Sequence, residues 1–324
     1  MRHLVIGGAG FIGSHTARRL LLGKPASTVT IYDNYSSDPE NADYRLRDVL
    51  GHPGLTVIKD DVKNLSRLTE AMGGCCTVWH FASNPDIAKA MTDPTIDFRE
   101  GTALTQNVVE AMRISGVTDL IYASGSGVYG DAGEEPMGET FTPMQPVSTY
   151  GASKLAGEAL ICSYCHMFGI TARAYRFANV VGGGQTHGVG FDFTRRLLAD
   201  PSRLKILGDG YQSKSYIHVD DVLEAIFHTA SHAAKPFDVY NVATEDCITV
   251  REIADLSVDL AGLRRETVSY EFTGGDRGWK GDVPVVRFDI SKILRTGWRP
   301  KQGSREALAM AIREMLDRIR GGTL

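Results

Sequence analysis

Along the first half of the chain, short β-branched and aliphatic runs alternate with stretches in which apolar residues recur every three or four positions. The runs His3–Ile6, Val29–Tyr32, Thr56–Ile58, Val78–Phe81, Leu120–Ala123 and Ala172–Arg176 read as strands. Gly10–Leu22, Asn64–Met72, Pro94–Ser115 and Thr149–Phe168 read as the helices between them. Such alternation predicts an α/β fold, a doubly wound parallel sheet with helices on both faces. Beyond Val180 the texture changes: Gly182–Gly190 holds five glycines in nine residues and Gly274–Gly281 four in eight. Val219–Ala230 and Thr249–Leu260 read as helices, the second with Thr249 as N-cap, and Val239–Ala243 reads as a strand able to rejoin the sheet. The expected organisation is a nucleotide-binding lobe over 1–180 with returning segments at about 214–245, and a smaller, interleaved α/β substrate lobe over 181–324.

Composition narrows the partners. With 35 Lys/Arg against 39 Asp/Glu the formal charge is −4, which argues against nucleic acid, whose phosphates call for clustered cations. No apolar run approaches the ~20 residues of a membrane span, and the N-terminus enters a strand-like run at once, leaving no room for a signal peptide. Five cysteines, an odd number, include a Cys162–Cys165 pair inside a helical stretch and read as reduced thiols, so the expected location is cytoplasmic. His218 beside Asp220 and Asp221 is a poor ligand set, and no metal is expected. The unusual number is glycine: 35 of 324 residues, well above the usual ~7%.

The first glycines have a clear address. Gly7-Gly8-Ala9-Gly10-Phe11-Ile12-Gly13 follows the first strand and opens the first helix, satisfying G-x-G-x-x-G through Gly8, Gly10 and Gly13. A tight strand-to-helix turn and close backbone approach to a pyrophosphate both exclude a Cβ, while the helix N-terminus offers N–H donors and partial positive charge. Asp33 ends the second strand, 20 residues after Gly13, where a carboxylate accepts from a ribose 2′-OH and repels a 2′-phosphate, so NAD is expected rather than NADP.

Further along, Tyr150-Gly151-Ala152-Ser153-Lys154 sets a phenol and an ammonium at i and i+4 on one helix face, where the cation would favour phenolate and make a general base. Taken together with Asp33-Asn34, Asp60-Asp61-Val62, Trp79-His80-Phe81-Ala82, Ser124–Gly130, Arg176–Val180, Ser215–Asp221 and Arg277–Pro284, these motifs resemble the extended short-chain dehydrogenase/reductase family, and within it the nucleotide-sugar epimerases and dehydratases. The resemblance runs nearly end to end. It implies a Rossmann-type sheet, bound NAD, a nucleotide-diphosphate sugar (a UDP-sugar foremost) as substrate, and a homodimer through the two long helices.

Residue by residue, the resemblance implies that Gly7, Gly10, Phe11, Ile12 and Gly13 hold the pyrophosphate and Asp33 and Asn34 the adenosine ribose. Asp61 and Val62 would flank adenine, and Phe81, Ala82 and Ser83 would line the cofactor channel. Tyr150 would be the base, with Lys154 binding the nicotinamide ribose and tuning Tyr150. Asn179, Lys214, Arg277 and Asp282 would meet the sugar nucleotide, Lys214 keeping the charge but not the fork of the family's usual Arg.

Three departures stand out. The usual catalytic Ser/Thr position holds Gly125, leaving Ser124 or Ser126 to supply a hydroxyl, and Gly101 replaces the usual Asn. Where the 4,6-dehydratases carry Asp-Glu, this chain has Ser126-Gly127, so elimination lacks its proton-transfer pair and epimerisation, at C4, is expected. Against this stands a reading in which the chain catalyses another reaction of the family, or binds NAD as a non-catalytic sensor.

Overall fold

The computed structural model describes residues 1–23, 27–37, 39, 42–230 and 235–321. Seven strands form the main sheet: β1 (Arg2–Ile6), β2 (Thr28–Asp33), β3 (Leu55–Lys59), β4 (Thr77–His80), β5 (Asp119–Gly125), β6 (Thr171–Phe177) and β7 (Phe237–Val242). Their order is β3-β2-β1-β4-β5-β6-β7. The pairs β3·β2, β2·β1, β1·β4 and β4·β5 are all parallel. This is the Rossmann-type arrangement that the alternation predicts, and Val239–Ala243 does rejoin the sheet as β7.

Register decides where the chemistry sits. Ile6 pairs with His80 and His80 with Tyr122, so Gly7 and Phe81 leave the sheet side by side while β5 runs on through Ala123 to Gly125. The reversal of strand order falls between β1 and β4, the place where open α/β sheets bind ligands beyond their carboxyl ends. Leu4, Val5 and Ile6 are fully buried, because helices cover both faces of the central strand. One such layer packs Leu68, Met72, Val108, Met112 and Ile161 onto the sheet.

The chain divides into two interleaved units. Met1–Val128, Thr149–Arg176 and Thr229–Tyr240 form the first; Tyr129–Ser148, Phe177–His228 and Asn241–Leu324 form the second. The division departs from the expected boundaries in two ways. Tyr129–Ser148 joins the second unit, and the segment returning to the first is the shorter Thr229–Tyr240, of which 231–234 lie outside the described residues.

The second unit has its own core, built by Phe193 and Leu197 on the helix Val189–Ala199, Ile253 on Val250–Leu260, and Leu308 and Ile312 on Ser304–Arg320. Thr249 caps the middle one in a reciprocal box with Glu252. Small strand pairs complete it, notably Asn179–Val181 with Tyr216–His218 and Arg203–Ile206 with Ser269–Phe272, both parallel. The expected helix Pro94–Ser115 is regular only from Ala103, being preceded by a π-turn over Phe98–Thr102. Gly101 sits in that turn; a Cβ there would overlap Ser153 Oγ on the helix Thr149–Phe168.

Candidate active site

The glycine loop is shaped as its residue types require. Gly7 adopts φ +76°, and a Cβ there would lie 2.6 Å from the backbone N of Ala82. A Cβ on Gly13 would overlap the carbonyl O of Gly7 and sit 2.8 Å from Gly8 Cα. Phe11 and Ile12 begin the helix Phe11–Gly23, so its free N–H groups face the turn. Asp33 fixes the loop as well as its own strand end. Its Oδ2 accepts from Ala9 N at 2.9 Å and its Oδ1 from Tyr35 N at 2.8 Å, while the buried Arg45 donates to Ala9 O at 3.3 Å.

Each carboxylate oxygen of Asp33 keeps a lone pair for a ribose hydroxyl. Asn34 Nδ2 donates to Asp61 Oδ2 at 3.0 Å, and Val62 is buried in the core beside it. Phe81, Ala82 and Ser83 follow β4 directly, Phe81 and Ala82 with their backbone against Gly7. A backbone cradle that any Cβ would fill, at a helix N-terminus and flanked by a carboxylate, fits the pyrophosphate and ribose of a dinucleotide.

Tyr150 and Lys154 lie one turn apart on the helix Thr149–Phe168. Glycines bring that helix close: a Cβ on Gly151 would overlap the carbonyl O of Gly127, and one on Gly157 would run into the Tyr122 hydroxyl. Lys154 is buried, donates to Ala123 O at 2.8 Å, and has its Nζ 5.6 Å from the Tyr150 ring centroid. Burial lowers its pKa to about 8, against the opposing pull of Glu158 and Asp97.

Burial prevails over any downward pull on Tyr150: the dense surroundings of the phenol push its pKa up to about 12, the nearby Ser83 hydroxyl works against that, and Asp97 adds to the rise. The ammonium donates to Ala123 O and stands over the Tyr150 ring at the outer edge of cation–π reach.

Ser124 and Ser126 differ sharply. Ser124 is buried and donates to Glu158 Oε1 at 2.5 Å. Arg176 closes that carboxylate from the other side, Nε to Oε1 at 3.0 Å and Nη2 to Oε2 at 2.7 Å. The Ser124 hydroxyl is therefore committed to a buried ion pair. Ser126 opens a short 3₁₀ turn, is partly exposed, and has no hydrogen-bond partner among the described residues.

In the second unit, Lys214 Nζ meets Asp282 Oδ1 at 2.5 Å. Arg277 donates to Asp282 O and to Asp131 Oδ2, each at 2.6 Å, and Gly278 N donates to Asp282 Oδ2 at 3.1 Å. Lys214, Arg277 and Asp282 thus form one cluster. Asn179 is apart from it, on a strand end where its Nδ2 donates to Ser215 O at 3.1 Å. Sequence reasoning missed Asn84, Asp97, Asp131 and the roles of Glu158 and Arg176. The spacing of Lys154 and Glu158 at i and i+4 is the one local signal that could have flagged any of them. Among the described residues no three His, Cys, Asp or Glu side chains group as metal ligands, and no helix is long and apolar enough to cross a membrane.

Comparison with known proteins places this geometry. The sequence model of the family described as "NAD dependent epimerase/dehydratase family" matches residues 3–243. A crystal structure of UDP-galactose 4-epimerase is 34% identical, with a TM-score of 0.85 over 98% of this chain and 100% of that one. A dTDP-glucose 4,6-dehydratase from Streptomyces venezuelae, crystallised with NAD bound, is 26% identical with a TM-score of 0.88, covering 99% and 98%. The UDP-glucose 4-epimerase of Mycolicibacterium smegmatis is 30% identical over 320 residues, 96% of this chain and 97% of that one.

Proposed function

Since the chain belongs to the NAD-dependent epimerase/dehydratase family, we propose that it epimerises a nucleotide-diphosphate sugar, a UDP-sugar foremost, at C4 through a transient 4-keto intermediate. NAD, held tightly by the Gly7–Gly13 loop, Asp33, Asn34 and the Phe81–Ser83 segment, supplies the hydride acceptor and its return. Tyr150 takes the proton of the sugar hydroxyl and gives it back on re-reduction. Lys154, fixed by Ala123 O, orients the ribose nearest the reacting ring. The Lys214–Arg277–Asp282 cluster offers two cations for the diphosphate, with Asp282 and Asp131 holding them ready.

One observation favours epimerisation over 4,6-dehydration. Gly127 packs backbone to backbone on Gly151, and a Cβ at 127 would be 3.1 Å from Gly151 Cα. Even an alanine is tight there, and any side chain at 127 would need the catalytic helix to give by a few tenths of an ångström. The relatives named UDP-galactose and UDP-glucose 4-epimerase support the same choice. A homodimer through Ala103–Ser115 and Thr149–Phe168 belongs to this reading; sedimentation at micromolar concentration checks it.

The test is product analysis by NMR and mass spectrometry after incubation with a panel of UDP-, dTDP-, GDP- and CDP-sugars. Inversion at C4 without loss of water is expected, with the cofactor unchanged at the end. Tyr150→Phe should lower turnover at least ~10²-fold while leaving NAD bound. A wild-type enzyme that binds these sugars and returns a 4-keto-6-deoxy product, or none, would sink the reading.

A further inference from the structure

The Lys154 ammonium donates to the carbonyl of Ala123 at 2.8 Å, and what keeps that carbonyl in place is the residue after it. Ser124 donates its hydroxyl to Glu158 Oε1 at 2.5 Å, and Glu158 stands one turn beyond Lys154 on the helix Thr149–Phe168. Strand β5 and the catalytic helix are thus fastened by two consecutive rungs that run in opposite senses. Lys154 donates to residue 123, and residue 124 donates to Glu158.

The second rung is anchored from a neighbouring strand. Arg176 on β6 grips Glu158 with two hydrogen bonds, Nε to Oε1 at 3.0 Å and Nη2 to Oε2 at 2.7 Å. Ser124, Lys154, Glu158 and Arg176 are all buried, none more than 5% exposed. A carboxylate held there by three donors cannot exchange them for solvent, so β5 and β6 together fix its position. Around the ammonium stand Tyr150 and Glu158 on its own helix, Tyr122 on β5 with its ring centroid 5.2 Å from Nζ, His80 on β4, and Asp97 before the π-turn. Asp97 is held by Asn84 and Thr149, which leaves Glu158 as the carboxylate tied to the strand that receives the ammonium.

We propose that Glu158 is a positioning residue for the reaction: through Ser124 it fixes the carbonyl that receives Lys154, and through Arg176 it ties that arrangement to the sheet, so that the ammonium stands beside Tyr150. The inference rests on the epimerase reading for the roles of Tyr150 and Lys154. Glu158 is closed on both oxygens, touches neither substrate nor cofactor, and exchanges no proton. Its negative charge also works against the desolvation of Lys154 and favours the protonated amine.

The experiment compares Ser124→Ala, Glu158→Gln and the double variant Glu158→Met with Arg176→Met in the NAD-loaded protein. Asp119→Asn, which breaks the ion pair with Arg173 between the same two strands, is the control for stability alone. The readouts are Tm, kcat and KM for whichever sugar nucleotide the panel identifies, and one that needs no substrate. That last is the Cε resonance of Lys154 in carbon-13 lysine-labelled protein, followed against pH and assigned by its disappearance in Lys154→Arg. Ser124→Ala should move the resonance and lower kcat roughly tenfold, the worth of one hydrogen bond to a charged group, with KM little changed. Glu158→Gln should also lower the pH midpoint of the resonance by about one unit, because an attracting charge is lost. The double variant leaves no member of the ion pair unpaired, so it should recover the Tm lost in Glu158→Gln while keeping the lowered midpoint and kcat. Asp119→Asn should lower Tm and leave the resonance in place.

A resonance unmoved in Ser124→Ala or in Glu158→Gln overturns the proposal. So does a double variant whose recovered Tm brings the midpoint and kcat back to wild-type values, since Glu158 would then serve stability alone. Failure of the wild type to turn over any sugar nucleotide would instead strike the proposed function, and the Lys154 resonance would still decide whether Glu158 places the ammonium.

Discussion

At the residue scale the site holds a phenol and an amine whose proton affinities are both displaced by burial, in opposite senses. Tyr150 is pushed up to about 12 and Lys154 down to about 8. The useful pair, phenolate beside ammonium, is then a minority form whose population grows tenfold per pH unit until Lys154 begins to lose its proton, and levels off above that. The expected outcome is a kcat/KM that rises with pH to about 8 and flattens beyond it. Lys154→Arg keeps its charge at every accessible pH, so its rise should continue past 8, at a lower absolute rate because the guanidinium does not fit the ammonium's place at Ala123 O. A flat wild-type profile from 6 to 8 would contradict this assignment. Tyr150 and Lys154 were legible in the sequence because they lie on one helix. Asn84, Asp97 and Thr149 were not legible as a unit, because the buried Asp97 carboxylate accepts from two residues that only folding brings together.

Among the structural elements, the strands and long helices of the main sheet were readable from periodicity, since burial on both faces leaves unbroken β-branched runs. What escaped is equally physical. The helix Val189–Ala199 starts next to Gly188 and within a glycine-rich stretch, so local composition spoke for a loop where the tertiary packing of Phe193 and Leu197 builds a helix. The parallel pair Arg203–Ile206 and Ser269–Phe272 joins segments too far apart for any local pattern to couple. The π-turn at Phe98–Thr102 is local, but the close packing of Gly101 on Ser153 Oγ within it joins residues far apart in the chain.

The same close approach makes the catalytic helix a test of element placement. Gly151→Ala puts a methyl group onto the Gly127 carbonyl, 2.8 Å from its carbon, in a helix where alanine is otherwise preferred. Propensity favours the substitution by roughly 1 kcal/mol, while overpacking opposes it by about 1–3 kcal/mol. The net should be a lower Tm and a larger loss of kcat, because a helix that gives way to the clash carries Tyr150 with it. A Gly151→Ala enzyme with raised Tm and full activity would show that the contact between the helix and the 125–128 turn is not tight.

Across the whole molecule, stability should depend on pH through two buried histidines that pull in opposite directions. His80, in the first unit, is held neutral by burial and by the nearby Lys154 charge, with its pKa lowered to about 3. His218, in the second, is paired with Asp220 at 3.4 Å and Glu314 at 3.8 Å, and these outweigh its burial to raise its pKa to about 9. An unfolded histidine titrates near 6.5. Below that value the unfolded chain takes up a proton at position 80 that the folded one refuses, so stability falls as the pH drops from 6.5 toward 3. Above it the folded chain keeps a proton at 218 that the unfolded one releases, so the stabilisation by His218, complete below 6.5, is lost as the pH rises through 9.

The two histidines together place a maximum near pH 6.5. The carboxylates facing His218 are exposed, 67% for Asp220 and 43% for Glu314, so water screens that pair, and its share is on the order of 1–2 kcal/mol. Melting temperatures measured across this range should show His80→Asn flattening the acid side alone and His218→Asn flattening the alkaline side alone. If either substitution altered both slopes, or neither, the two groups would not be the titrating sites, and the ion pair around His218 would have to be weaker than its geometry implies.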